Sequence, residues 1–285
     1  LVLDMSRPEV VDYLFGVITG ILDSANIEYI KWDANRHLTE VGSAAVPPER
    51  QKEIAHRYVL GMYELHERLL KRYPKLLIEG CSGGGGRFDA GMLYYVPQIW
   101  TSDDTDALER LKIQYGTSML YPCSTMGAHV SDCPNHQTGR TNPFPTRGIV
   151  ALSGTFGYEL DLNKMTEEER SFIREQVAAY HKYNRLVTGG DFHRITDPFD
   201  PATVVVIWEH AARDRSEALV TMVQPRNIPN GPVFRCRLRG LDPAAVYELE
   251  QTGERFTGEM LMQAGFHVPR FDRDGGAALY HFRRI

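Results

Sequence analysis

The succession of two periodicities constrains this chain more than any other feature. From Ser6 to Arg185, short apolar runs of strand length alternate with longer stretches in which apolar residues recur every three or four positions. The short runs lie near residues 27, 75, 97, 118 and 155, with the end of another strand at Leu1-Val2-Leu3-Asp4. Ser6-Arg7-Pro8-Glu9 predicts a capping box with proline in the first helical turn, and Val10, Val11, Leu14, Ile18 and Leu22 supply that helix's apolar face. Pro47-Pro48 precedes a longer helix carrying Ile54, Tyr58, Met62, Leu65 and Leu69, which Pro74 ends. A helix over Ala107 to Tyr115 then precedes a strand near Met119-Leu120-Tyr121, and Thr166-Glu167-Glu168-Glu169 opens a second capping-box helix toward Arg185. Parallel strands need crossovers of helix length, so the alternation predicts an α/β fold with a parallel sheet.

Near Gly190 the helical period disappears. Residues 203–208, 218–223, 233–238, 246–249 and 278–282 are short β-rich runs divided by turn residues such as Asn230-Gly231-Pro232. The pattern predicts two domains, 1–189 and 190–285, the second a small antiparallel β-sandwich. A closed barrel of eight strand-helix units takes about 250 residues. Five complete strands before residue 190 therefore predict an incomplete (β/α)8 TIM barrel.

Composition excludes several classes. The 285 residues are 42% hydrophobic and 24% charged, enough apolar content for a sizeable core. A net charge of -5 gives no field that would attract nucleic acid or an anionic membrane. No apolar stretch reaches the roughly 20 residues of a membrane span, and no basic-then-apolar leader opens the chain at Leu1. Cys81, Cys123, Cys133 and Cys236 lack the paired spacing of a zinc site, so neither metal nor cofactor is expected, and reduced thiols in a cytoplasmic setting are the simplest reading.

Charge gathers where two strands run out. Ile27-Glu28-Tyr29-Ile30 leads into Lys31-Trp32-Asp33-Ala34-Asn35-Arg36, and Pro97-Gln98-Ile99-Trp100-Thr101-Ser102 leads into Asp103-Asp104-Thr105-Asp106. A strand buried on both faces reads as a continuous apolar run, and barrels of this class build their chemistry at the strands' C-terminal ends. Two carboxylates at two such ends suit glycoside hydrolysis, in which one protonates the departing oxygen and the other attacks the anomeric carbon or activates water. The acidic run 103–106 also fits a helix N-terminus, where carboxylates favour the exposed N–H groups. Lys31 lies two positions before Asp33 and shares its face, either as an ion-pair partner or as a donor to a sugar hydroxyl. Trp32 and Trp100 are candidates for apolar surroundings that raise the acid's pKa. Cys81-Ser82-Gly83-Gly84-Gly85-Gly86 lacks the Gly-Lys-[Ser/Thr] ending of a phosphate loop. Backbone held close to a sugar and a small buried thiol at Cys81 both remain open.

Taken in order, Lys31-Trp32-Asp33-x-Asn35-Arg36, Cys81-Ser82-Gly83-Gly84-Gly85-Gly86-Arg87-Phe88-Asp89, Trp100-Thr101-Ser102-Asp103-Asp104-Thr105-Asp106 and Gly127-Ala128-His129-Val130-Ser131 resemble the α-galactosidases of glycoside hydrolase family 36. Residues 134–140 and 256–262 extend the resemblance to the chain end, and Ala34 departs from the methionine usual in the family. The resemblance implies a retaining mechanism with Asp33 as nucleophile and Asp103 as acid/base, their carboxyls about 5 to 5.5 Å apart. It also implies substrate contacts from Lys31, Trp32, Cys81, Gly83 and Trp100. In the family the nucleophile follows the fourth barrel strand and the acid/base the sixth, so the five strands are expected to be strands 4 to 8, with an N-terminal domain and the early strands outside this chain. Three functional expectations follow: a retaining α-galactosidase acting on melibiose- or raffinose-type oligosaccharides, a raffinose-synthase-like transglycosylase, or an inactive carbohydrate-binding fragment. The family further implies a homo-oligomer in the full-length form and weak or no activity for this segment alone. Arg87 and Asp89 are expected to pair, and His129, His136 and Arg140 to lie in a polar segment after the seventh strand.

Overall fold

The computed structural model describes residues 2–231 and 233–285. The chain divides into two compact units, Leu1–Asp103 and Asp104–Ile285. The first holds α1 (Pro8–Leu22), β1 (Tyr29–Asp33), α2 (Ile54–Arg72), β2 (Leu77–Cys81), the short α3 (Ala90–Tyr95) and β3 (Gln98–Trp100). The three strands pair in parallel, with Lys31 opposite Glu79, Asp33 opposite Cys81, and Glu79 opposite Gln98. Side chains alternate along a strand, so Tyr29, Lys31, Asp33, Leu77, Glu79 and Cys81 occupy one face, and Ile30, Trp32, Ile78 and Gly80 the other. The second face closes on the helices through Val11 and Leu22 of α1, Leu65 and Leu69 of α2, and Ile78. Each of these fully buried aliphatic side chains contributes about 1.5–3 kcal/mol.

Two expectations are corrected in this unit. Ser6 donates its hydroxyl to Asp4 instead of capping α1, and Arg7 occupies the N-cap without a side-chain hydrogen bond. Pro8 starts the helix at the position where a missing N–H costs nothing. Nor is β1 buried on both faces: Tyr29, Lys31 and Asp33 are exposed, and its alternate residues pack against the helices. The run Ile27 to Ile30 is interrupted by Glu28, and its Tyr29 is exposed.

The second unit begins with α4 (Ala107–Thr117), β4 (Met126–Ser131), α5 (Phe144–Ala151), β5 (Thr155–Glu159) and α6 (Glu167–Gly189), with β4 and β5 parallel. The capping box at Thr166 and Glu169 forms as the sequence predicts. The strand expected at residues 119–121 does not form. That segment is a turn, in which the amides of Met119 and Tyr121 bond back to Gly116 and Thr117 and Leu120 is 81% exposed. The strand lies at 126–131, whose Gly127 and Ala128 carry little strand signal, so His129 sits within β4 and not after it.

Beyond α6 come β6 (Asp191–Arg194), β7 (Val206–Ala211), β8 (Glu217–Gln224), β9 (Arg235–Cys236), β10 (Val246–Leu249), β11 (Arg255–Thr257), α7 (Gly258–Gln263), β12 (Phe266–His267) and β13 (Gly276–Arg284). Six of the strands form an antiparallel sheet in the order β11-β10-β13-β8-β7-β6, and β9 pairs with β12. One face of the sheet packs Ile207, Val220, Met222, Tyr247 and Phe282 against Cys236, Leu238, Leu261 and Phe266. The other receives the helices, with Ala107, Leu111 and Val150 against Val206, Trp208 and Val223, and Leu186 and Val187 against Leu219. Cover on both faces explains the unbroken apolar run in β8. The strand-helix alternation ends at Gly189, whereas packing divides the chain at 103/104, because α4, α5 and α6 bury their apolar faces on the antiparallel sheet. Among the described residues no helix is long and apolar enough to cross a membrane.

A buried histidine ties α6 to this sheet. His281 of β13 places its two ring nitrogens 2.5 Å from Glu250 and 2.8 Å from Glu217, and Lys182 of α6 also bonds Glu250. Hydrogen bonds from His281 and then Lys182 hold the Glu250 carboxyl down at about 2, from an ordinary 4.5. A depressed carboxyl contributes stability that is complete above the unfolded-state value and lost as pH falls through the folded-state value. The stability difference between wild type and Glu250→Gln in urea titrations is therefore expected to be constant above about pH 5 and to shrink toward zero by about pH 2. A difference independent of pH across that window would refute the linkage.

Candidate active site

The parallel register of β1, β2 and β3 builds the candidate site in rows. The deeper row holds Lys31, Glu79 and Gln98. The row at the C-terminal ends holds Asp33, Cys81 and, by continuation of the same register, Trp100. The structure thus brings four of the sequence-predicted residues, Lys31, Asp33, Cys81 and Trp100, to one face. Trp100 is 3% exposed, and the Lys31 ammonium lies 4.9 Å from the centre of its ring, a cation-π geometry.

Trp32 is the exception. Between Lys31 and Asp33 on a strand, it must point to the opposite face. There its ring meets His66 of α2 at 4.8 Å and joins the core around Leu65. Its ring thus lies on the face opposite Lys31 and Asp33, in the helix-packed layer. It lines an apolar cavity of about 230 Å³ together with Tyr58, Met62, Phe88 and Met92.

Asp33 and Cys81 touch across the strand pair. Burial raises the Cys81 thiol above its ordinary value; a hydrogen bond from the Gly84 backbone lowers it, and the hydrogen bond and charge of Asp33 raise it again. The thiol stays protonated and donates toward the carboxylate. Lys31 makes its ion pair with Glu79, Nζ to Oε1 at 3.8 Å, and not with Asp33.

The glycine loop after β2 stitches two strand ends together. The Ser82 hydroxyl donates to the Ala34 carbonyl at 2.7 Å, and the Gly83 N–H donates to Asn35 Oδ1 at 2.8 Å. The Gly85 N–H donates to the Thr101 carbonyl at 3.2 Å. One side of the loop therefore holds the segment following Asp33, and the other holds the segment leading to Asp103. Gly84 has a φ of +81°, and a Cβ there would lie 2.7 Å from Ser102 Cα. Only glycine permits both the turn and the approach.

Arg87 and Asp89 do not pair with each other. Arg87 donates to the Arg36 carbonyl, while Asp89 caps α3 by accepting from the Met92 amide at 2.8 Å and from the Tyr63 hydroxyl at 2.9 Å. Asp89 is occupied because its position starts a helix, a role its spacing from Met92 could have signalled.

Asp103 is exposed and follows β3 by three residues. The carboxylates after it divide their labour within the second unit. Asp104 accepts from the Asp106 amide at 3.0 Å, and Asp106 caps α4 through the Leu108 amide at 2.9 Å. Burial opposes ionisation of Asp106, but bonds from Thr138, Leu108, Asn142 and Arg140 outweigh it and hold the carboxyl below the usual range. The helix-terminus reading is thus correct for Asp104 and Asp106. Arg140 is spent on Asp106 and Glu109, and His129 faces Glu159 at 3.5 Å.

Sequence reasoning missed Glu79. It is 1% exposed and accepts from the Tyr29 hydroxyl and from Gln98 Nε2, the latter at 2.6 Å. Its signal was a lone acidic residue directly after the apolar run Leu76-Leu77-Ile78 and still within β2. Among the described residues no cluster of three or more His, Cys, Asp or Glu could hold a metal ion. Gly84→Ala is expected to push Ser102 and Asp103 away from the loop, lowering activity at least tenfold with modest loss of stability. Activity and melting temperature measured together check this; unchanged activity would show that the loop does not set the position of Asp103.

The sequence matches the melibiase family over residues 1–190 and the glycosyl hydrolase family 36 C-terminal domain over residues 205–282. It is 51% identical to the α-galactosidase AgaA of Geobacillus stearothermophilus over 285 residues, covering 100% of this chain and 39% of that one. It is 48% identical to the bifunctional α-galactosidase/sucrose kinase AgaSK of Mediterraneibacter gnavus, covering 100% of this chain and 29% of the relative. The crystal structure of an AgaA variant in complex with raffinose superposes with a TM-score of 0.97 at 50% identity, covering 100% of this chain and 39% of that one. The chain therefore spans about two fifths or less of the length of these relatives. With both parts matched in order and the whole length aligned, the chain belongs to glycoside hydrolase family 36.

Proposed function

We propose that this chain carries the catalytic carboxylates of a retaining α-galactosidase that removes terminal α-linked galactose from raffinose-type oligosaccharides. The observation that carries the reading is the row of Asp33, Cys81 and Trp100 at three parallel strand ends, with Lys31 beneath it and Asp103 leaving the third. Relatives at 51% and 48% identity are named α-galactosidases, and one relative's structure holds raffinose, which supports this substrate class. In this reading β1 to β5 are strands four to eight of an eight-stranded barrel, of which residues 1–189 are the C-terminal part, and residues 190–285 form a β-sandwich that buttresses it.

An Asp33 carboxylate oxygen attacks the anomeric carbon while Asp103 gives its proton to the departing glycosidic oxygen. The bond to the aglycone sugar breaks as the galactosyl-Asp33 ester forms. Asp103, now a carboxylate, takes a proton from water, whose oxygen attacks the anomeric carbon and releases galactose and free Asp33. Such a mechanism needs the two carboxyls held at a fixed short spacing, and the glycine loop that bonds both strand ends supplies that restraint. The Cys81 thiol and the Lys31 ammonium are donors on this face, available to the sugar hydroxyls nearest the attacked carbon.

The test is a pair of variants in the full-length enzyme, assayed on p-nitrophenyl α-galactoside and on raffinose. Asp33→Ala is expected to lose turnover on both by at least about 10⁴-fold, as removal of a nucleophile does. Asp103→Ala should lose about 10²–10⁴-fold on raffinose and much less on the activated aryl galactoside, whose leaving group needs no proton. Equal losses on both substrates for both variants would overturn the assigned roles.

A further inference from the structure

We propose that Glu79 is the positioning residue of this site, a buried carboxylate whose task is to hold the Lys31 ammonium against Trp100 beside the nucleophile. The proposal rests on the catalytic reading of Asp33 for its functional meaning, but the Glu79–Lys31 coupling itself stands on geometry.

Glu79 lies in the middle of β2, directly across the parallel ladder from Lys31. At 1% exposure it is a carboxylate withdrawn from water, an arrangement that costs several kcal/mol unless partners replace the lost hydration. One oxygen, Oε2, is satisfied by neutral donors on both neighbouring strands, the Tyr29 hydroxyl and Gln98 Nε2. The other, Oε1, has no hydrogen-bond partner and faces the Lys31 ammonium at 3.8 Å. The two neutral bonds fix the plane of the carboxylate and leave the unpaired oxygen aimed at the cation. Lys31 is 40% exposed along its side chain, so its four-carbon stem would otherwise sample many rotamers. The pull of Oε1 from below and the Trp100 ring at 4.9 Å confine it to one.

This arrangement also separates two charges that would otherwise combine. A lysine two residues before an aspartate on one strand face has that aspartate as its nearest natural partner. Pairing with Asp33 would tie up the nucleophile's lone pairs. Glu79 takes the cation instead, so Lys31 adds positive potential beside Asp33 without a direct bond to it.

The test uses Glu79→Gln, which keeps shape and both neutral contacts while removing the charge. The readout is the rate at which Lys31 is acylated by an amine-specific reagent at fixed pH, quantified by peptide mass spectrometry with exposed Lys52 as internal reference. Loss of the facing carboxylate is expected to speed labelling of Lys31 about three- to tenfold relative to Lys52, because an ammonium released from its anchor samples more exposed rotamers. In the same protein, the loss in kcat/KM for an aryl α-galactoside should fall mainly on KM, since Glu79 touches none of the reacting atoms. Unchanged Lys31 labelling in a folded Glu79→Gln protein overturns the proposal. Should Glu79→Gln not melt cooperatively, Tyr29→Phe decides on the same readout. Losing one of the two bonds that fix the carboxylate plane loosens Oε1 from the cation, so faster labelling supports the proposal and equal or slower labelling overturns it. A wild-type enzyme without α-galactosidase activity would reject the catalytic reading, and the labelling comparison would still decide the Glu79–Lys31 coupling.

Discussion

Everything at the candidate site depends on the parallel register of β1, β2 and β3. Shifting one strand by a single residue would send Asp33 into the helix-packed layer and Trp32 onto the open face. What holds the register is the unequal chemistry of the two faces. On one side Ile30, Trp32 and Ile78 pack against α1 and α2; on the other Lys31, Glu79 and Gln98 form a polar row in which Gln98 bonds Glu79 and Lys31 pairs with it. A slipped register would bury the ammonium among leucines and expose the isoleucine, two costs of several kcal/mol that reinforce each other. The contrast between the two faces that sets this row of side chains therefore also makes the register unique.

The second unit shows why sequence pattern and packing place boundaries differently. Periodicity changes at Gly189 because the chain stops making helices there, and a reader of the sequence sees only that. Packing follows apolar faces, and those of α4, α5 and α6 lie on the antiparallel sheet through Leu111, Val150, Trp208 and Leu219. Trp208 anchors the contact, fully buried and donating its indole N–H to Ser153 at 2.6 Å. The antiparallel sheet is therefore a structural support for α4, α5 and α6 within the second unit.

The strength of each local signal decided what the sequence disclosed. Alternation of strand and helix was legible because Leu65, Leu69 and Ile78 are large and periodic, and the capping box at Thr166 because its geometry is purely local. The strand at 126–131 was hidden because Gly127 and Ala128 are small and the more apolar Met119-Leu120-Tyr121 stood nearby. Asp33, Asp103, Lys31 and Cys81 were legible as charge and sulfur at strand ends. The two-residue period of a strand alone sends Trp32 to the opposite face from Lys31 and Asp33. Glu79 could not be found by motif, since its meaning lies in a cross-strand partner 48 positions away in sequence.

The environment of Cys81 bears on which group on this face can act as the nucleophile. A thiol is the stronger intrinsic nucleophile, but only as the thiolate, and thiolates form where cations or helix N-termini stabilise them. Cys81 has the reverse surroundings: it is 6% exposed, its burial is the largest influence on it, and its neighbour is the Asp33 carboxylate. Lys31, the cation that acts on the thiol, forms its ion pair with Glu79. The thiol is thereby kept as a donor while Asp33 keeps accessible lone pairs at an exposed strand end. With Glu79 buried one level below Asp33, the two proposed tasks fall to separate groups, Glu79 for the cation and Asp33 for the attack on carbon.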